Sequence, residues 1–176
     1  MGGMSIVASL LRKNARFAER FRLAGLPAAP ASGVAILTCM DARLDVLRML
    51  GLQLGDAHVV RNAGARASED AIRSLVASAT LGDTREILVI HHTRCAMRSV
   101  TNEELQERVT ELTGADATGV EFTPPLTDLR ESVWEDVRRI ATARFIPAEV
   151  SVSGLIYDVD TGKLELVVDP SRARVG

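Results

Sequence analysis

The stretch VAILTCMDARLDVLRMLG, residues 34–51, decides the fold. Its first six residues are an unbroken apolar run behind a turn signal, Ser32–Gly33, and read as a short buried strand. That strand ends on Cys39. Asp41 and Arg43 follow, and from Leu44 the apolar spacing turns helical, with Gly51 as its stop. The pattern then repeats. AHVVRN (57–62) reads as a second strand, and SEDAIRSLVASATLG (68–82) as a helix capped by Ser68, with two acids in its first turn and Gly82 at its end. EILVIHH (86–92) is a third strand. TNEELQERVTELTG (101–114) sets Thr101 and Glu104 at capping-box spacing. A loop holding Pro124–Pro125 leads into a long helix, LTDLRESVWEDVRRIATARF (126–145), and VSGLIYDVDTGKLELVV (152–168) reads as a hairpin turning at Asp160–Thr161–Gly162.

Alternating strands and helices predict an α/β fold, a mainly parallel sheet with helices on both faces and an antiparallel C-terminal edge hairpin. The 176 residues, 47% apolar and 25% charged, suit one domain with a real core. Ahead of the sheet, Ile6, Val7, Leu10, Leu11 and Phe17 recur at helical spacing within residues 4–22, and GLPAAPASG (25–33) breaks that helix into an extended arm. The expected division is a helix and arm over residues 1–32 and the α/β domain over 33–176. An amphipathic helix on a loose arm is suited to packing on a neighbouring subunit. A net charge of −2 offers no basic surface for nucleic acid or anionic membrane. No segment is long and apolar enough to span a bilayer. Near the N-terminus the arginines follow the apolar run, the reverse of a signal peptide, so the cytoplasm is the expected compartment.

Ligands of such sheets bind beyond the carboxyl ends of the strands, which here are Cys39, Asn62 and His92. Cys95 lies on the loop leaving the third strand. Two distant cysteines in a cytoplasmic chain point away from a disulfide. Two thiolates and an imidazole suit zinc, which takes sulfur and nitrogen ligands in a tetrahedron and leaves a fourth position for water. Successive strand residues face opposite ways, so only one of His91 and His92 can face the site, and spacing alone leaves both open. Asp41 and Arg43 can reach one side, where a guanidinium holds a carboxylate ionised. His58, inside an apolar strand, reads as structural, and Arg61 as a surface or interface residue. Asn62 and Gly64 read as shaping the loop behind the site.

Cys39-Met40-Asp41-Ala42-Arg43, then R-N-A-G (61–64), then His92-x-x-Cys95, with SGLIYDVDTGKL further on, resemble the β-class carbonic anhydrases, above all the short prokaryotic members, over residues 33–168. The resemblance implies Zn2+ held by Cys39, His92 and Cys95, with Asp41 and Arg43 as the catalytic dyad. Asp41 would orient a metal-bound hydroxide for attack on carbon dioxide, giving bicarbonate, and would become the fourth ligand in a closed state. The resemblance also implies a homodimer or higher homo-oligomer, with the N-terminal helix reaching over its partner. Two positions depart from the pattern. Short members read H-T-D-C-G-M, whereas this chain reads His92-Thr93-Arg94-Cys95-Ala96-Met97. A left-handed backbone at position 96 would make the added Cβ cost about 1 kcal/mol. Three other readings stand beside the main one: the same site acting on carbonyl sulfide or carbon disulfide, a zinc-bound inactive homologue with a binding or regulatory role, and a metal-free Cys39–His92 nucleophilic hydrolase. Neither G-x-G-x-x-G nor a Walker A loop is present, which disfavours a dinucleotide.

Overall fold

Strand β1 (Val34–Cys39) pairs in parallel with β2 (Ala57–Asn62) on one side and with β3 (Glu86–His92) on the other. Beyond β3, β4 (Ser151–Tyr157) is again parallel, and β5 (Leu164–Val168) closes the sheet antiparallel to it. The order is β2-β1-β3-β4-β5, the mainly parallel sheet with an antiparallel edge pair that the alternation of elements predicts. The structure is a computed structural model that describes residues 5–122 and 128–170.

Alternation along the strands divides the core into two layers. Ala35, Leu37, Ile87 and Val89 face α3 (Glu69–Leu81) and α5 (Leu129–Ala141), where they meet Leu75, Val133, Val137 and Ile140. Ile36, Leu88 and Ile90 face the other way, onto Leu44 and onto Val46 of the short helix α2 (Val46–Met49). The helix read over 44–51 is therefore shortened to a single turn. Its leading residues belong instead to a tight turn, held by a Leu44 N–H to Asp41 carbonyl bond of 3.1 Å. Helix α4 (Asn102–Thr113) begins at the capping box of Thr101 and Glu104. Helix α5 starts behind Asp128, whose carboxylate accepts from the N–H groups of Arg130 and Glu131. It ends at Ala141, short of residue 145. Residues 126 and 127, together with Pro124–Pro125, lie outside the described residues.

Helix α1 (Ile6–Arg20) buries none of its residues: Ile6, Val7, Leu10, Leu11 and Phe17 are all more than half exposed. The arm after it is firmly attached from Ala28 onward. Ala31 N–H donates to Gly55 O at 2.9 Å, Ser32 N–H donates to Asp56 O at 3.0 Å, and Pro30 is buried. His58 Nε2 donates to Ala28 O at 2.8 Å, which leaves Nδ1 to accept from the Ser78 hydroxyl at 2.7 Å. His58 is thus a structural clasp on the arm, in keeping with its reading from sequence. No helix among the described residues is long and apolar enough to cross a membrane.

Candidate metal centre

The strand order changes direction between β1 and β3, and their carboxyl ends open a crevice there. Cys39 ends β1. His92 ends β3, and Cys95 follows one loop later, ahead of a 3-10 turn at Ala96–Arg98. The three side chains are 3%, 1% and 7% exposed, and their sulfur and nitrogen atoms all lie within 4.8 Å of one another. Strand alternation decides between the histidines. His91 points toward α5 and meets Asp136 at 3.0 Å, whereas His92 points at the thiols.

Two observations fit this trio to a metal. The sulfurs are 3.9 Å apart, and two sulfurs on a tetrahedral zinc, each at about 2.3 Å, stand about 3.8 Å apart. His92 Nδ1 donates to Thr93 O at 2.9 Å, which puts the lone pair on Nε2. That Nε2 is buried with no hydrogen-bond partner. A buried acceptor left without a donor is costly, and a cation satisfies it.

The electrostatics agree. The Cys39 thiol is pulled down, chiefly by its contact with Cys95 and further by His92 and the backbone at Asp41 and Gly64, against the opposing effect of burial. Cys95 is pushed up by the same contact and by burial. The pair therefore carries one charge easily and a second only when a cation offsets it.

Asp41 stands at the edge of this trio. Arg43 Nε donates to its Oδ1 at 2.9 Å, Arg43 Nη2 to its Oδ2 at 2.7 Å, and the Arg43 N–H to Oδ1 at 3.0 Å. This grip holds the carboxyl well below its usual range. Asp41 Oδ2 is 3.8 Å from His92 Nε2, so the carboxylate faces the metal position while bound to Arg43.

Arg61 is exposed, in keeping with its reading as a surface or interface residue, but the sequence does not announce its hold on the turn after β1. Its guanidinium straddles the whole turn after β1, donating to Cys39 O at 2.9 Å, Asp41 O at 2.7 Å and Leu44 O at 3.3 Å. No spacing rule announces such a clamp, because its acceptors are backbone carbonyls. Asn62 and Gly64 do shape the loop behind the trio. The Asn62 amide donates to Arg66 O at 2.6 Å and accepts from Arg66 N at 2.8 Å, and Gly64 has φ +78°, where glycine carries no Cβ penalty.

Residues 34–164 match the family model described as carbonic anhydrase. The chain is 41% identical over 164 residues to β-carbonic anhydrase 1 of Mycobacterium tuberculosis, covering 93% of this chain and 99% of that one. This chain belongs to the β-carbonic anhydrases. Among solved structures, a carbonic anhydrase from Streptococcus mutans superposes with a TM-score of 0.88 at 43% identity, covering 94% of this chain and 99% of that one. A carbon disulfide hydrolase from Acidianus sp. is a further relative, 33% identical over 152 residues and covering 73% of this chain and 74% of that protein.

Within this β-carbonic anhydrase, the two departures from the short-member pattern have different structural meanings. Ala96 lies in the 3-10 turn and is not among the residues with positive φ, so its Cβ carries no left-handed strain. The left-handed residue is Arg94, with φ +52°. Its carbonyl accepts from Arg43 Nη2 at 3.0 Å, and its guanidinium turns away to pair with Asp160 in the β4–β5 turn. The extra cation is thereby spent on a surface carboxylate.

Proposed function

We propose that this β-carbonic anhydrase hydrates carbon dioxide reversibly to bicarbonate at a zinc ion held by Cys39, His92 and Cys95. The observation that carries this reading is the unpartnered lone pair of His92 Nε2 among two buried thiols, beside a carboxylate fixed by arginine. Bound zinc supplies a Lewis acid that makes water a nucleophile near neutral pH. The chain's own residues do the rest. Arg43 keeps Asp41 ionised and facing the trio, where the carboxylate would accept a hydrogen bond from the nucleophile and orient it. Arg61 fixes the turn that carries both Cys39 and Asp41. Release of Asp41 from Arg43 would let it serve as a fourth ligand, the closed arrangement. The test is carbon dioxide hydration by zinc-loaded protein, followed by indicator in a stopped-flow mixer at alkaline pH.

A second reading keeps the site and exchanges the substrate for carbon disulfide or carbonyl sulfide. Kinship with carbon disulfide hydrolases supports it. Sulfide release from carbon disulfide at a rate exceeding hydration would favour it. The inactive-homologue reading loses its motive, since Arg94 turns outward and Ala96 is unstrained. One zinc per chain would remove the metal-free hydrolase reading.

The exposed apolar face of α1, on an arm clasped by His58, supports a homodimer or larger homo-oligomer in which the helix packs on its partner. Residues 1–32 then act as the assembly element and the rest as the zinc-binding domain.

A further inference from the structure

Behind the metal ligands lies a second cluster of charge that the reaction does not use. Asp136 of α5 is 2% exposed. Its Oδ1 accepts from Ala67 N at 2.8 Å, and its Oδ2 accepts from His91 Nε2 at 3.0 Å and pairs with Arg66 Nε at 3.3 Å. Arg66 also donates from Nη2 to Glu135 at 3.1 Å, while its Nη1 is buried with no hydrogen-bond partner. Removing a carboxylate and a guanidinium from water is costly, and replacing buried ion pairs by apolar residues of similar volume is often neutral or stabilising in other proteins. What the ionic cluster supplies is direction.

The three groups held by Asp136 lead to the ligands by two routes. His91 precedes His92 on β3, so tethering its ring to α5 fixes the strand end from which His92 projects. Arg66 and Ala67 end the loop that starts at Asn62. The Asn62 side chain grips both backbone groups of Arg66, and Asn62 O accepts from Met40 N at 2.9 Å, next to Cys39. One carboxylate on α5 therefore spans 45 residues to the neighbour of the imidazole ligand and 69 to the loop behind the thiolate.

We propose that Asp136 is a positioning residue of the metal centre, holding the His91–His92 strand end and the 62–67 loop in the register that lets Cys39, His92 and Cys95 share one ion. This rests on the ligand assignment above. The test compares zinc dissociation constants of the purified full chain, by chelator competition, and the thiolate-to-metal absorption of the cobalt(II) form. Asp136→Asn keeps the volume and an acceptor for Ala67 N, but sets an amide N–H against Arg66. Val137→Ala, on the same helix, removes core packing without touching the loop. All measurements are made well below each variant's unfolding temperature. Asp136→Asn is expected to weaken zinc by about tenfold or more and to alter the cobalt spectrum, with Val137→Ala matching the parent in both. Where Asp136→Asn yields no folded protein, Arg66→Lys carries the same comparison from the loop side. Parent-like zinc affinity and spectrum in the Asp136 or Arg66 variant would overturn the inference alone, as would an equal loss in Val137→Ala. A parent protein that binds no zinc would overturn the ligand assignment and this inference with it.

Discussion

At the scale of single residues, two groups stand side by side: Cys39, His92 and Cys95 gather three donor atoms that could hold a metal, and Asp41 is bound to Arg43 at their edge. Asp41→Asn keeps the shape and loses the charged hydrogen-bond acceptor. It is expected to lower the hydration rate by about 100-fold or more with zinc content unchanged, as read by stopped-flow and metal analysis on the same sample. Arg94 lies on the loop between two ligands, yet its side chain is 62% exposed and paired outward with Asp160. Arg94→Asp, which restores the usual acid of short members, should change hydration by less than about twofold, the range of ordinary surface substitutions. A large gain would instead mean that the cation had been suppressing the site. The legibility of residues follows the same division. That Cys39, His92 and Cys95 would meet at one rim was legible because they sit at or just past strand ends, while the choice of His92 over His91 and the pairing of Asp41 with Arg43 were expected from the family resemblance. The holds of Arg61 and Asp136 could not be read, because one bonds to backbone carbonyls and the other to groups far away in sequence.

At the scale of elements, caps and close packing carry the predictions. Asp128 caps α5 with two N–H bonds, so Asp128→Ala should lower unfolding free energy by about 1 kcal/mol, as measured by urea denaturation. Gly82 ends α3 against the clasp histidine, and a Cβ there would stand 2.6 Å from His58 Cε1 and 2.8 Å from Ser78 O. Gly82→Ala should therefore displace His58 from Ala28 and destabilise the chain by about 1–3 kcal/mol, the cost of overpacking, seen as a lower unfolding midpoint. All five strands were legible because apolar runs bounded by turn residues describe a buried parallel sheet well. Helix ends were less so. The run at 44–51 has helical spacing, but the Arg61 clamp turns its first residues into a loop, an effect of tertiary contact that local sequence does not carry. The arm read as loose because its prolines and glycines forbid a helix. Its anchors are carbonyls, Gly55 O and Asp56 O, which any sequence could supply.

At the scale of the whole molecule, the amphipathic helix α1 leaves its apolar residues exposed. Leu11→Asp on α1 should shift the protein toward monomer in sedimentation velocity while leaving the fold, read by circular dichroism, unchanged. Acid should weaken the molecule as a whole. Asp41 and Asp128 have folded-state values below the usual carboxyl range, Asp41 through Arg43 and Asp128 through the N–H of Arg130. Their contribution is fully present above the unfolded value of about 4 and is lost as pH falls from there through the folded values. The urea midpoint should accordingly decline below about pH 4. The most direct test of the central claim is the carbon dioxide hydration rate of protein shown to carry one zinc per chain. A rate far above buffer that collapses in Asp41→Asn is the predicted result. A zinc-loaded protein no faster than buffer would contradict it.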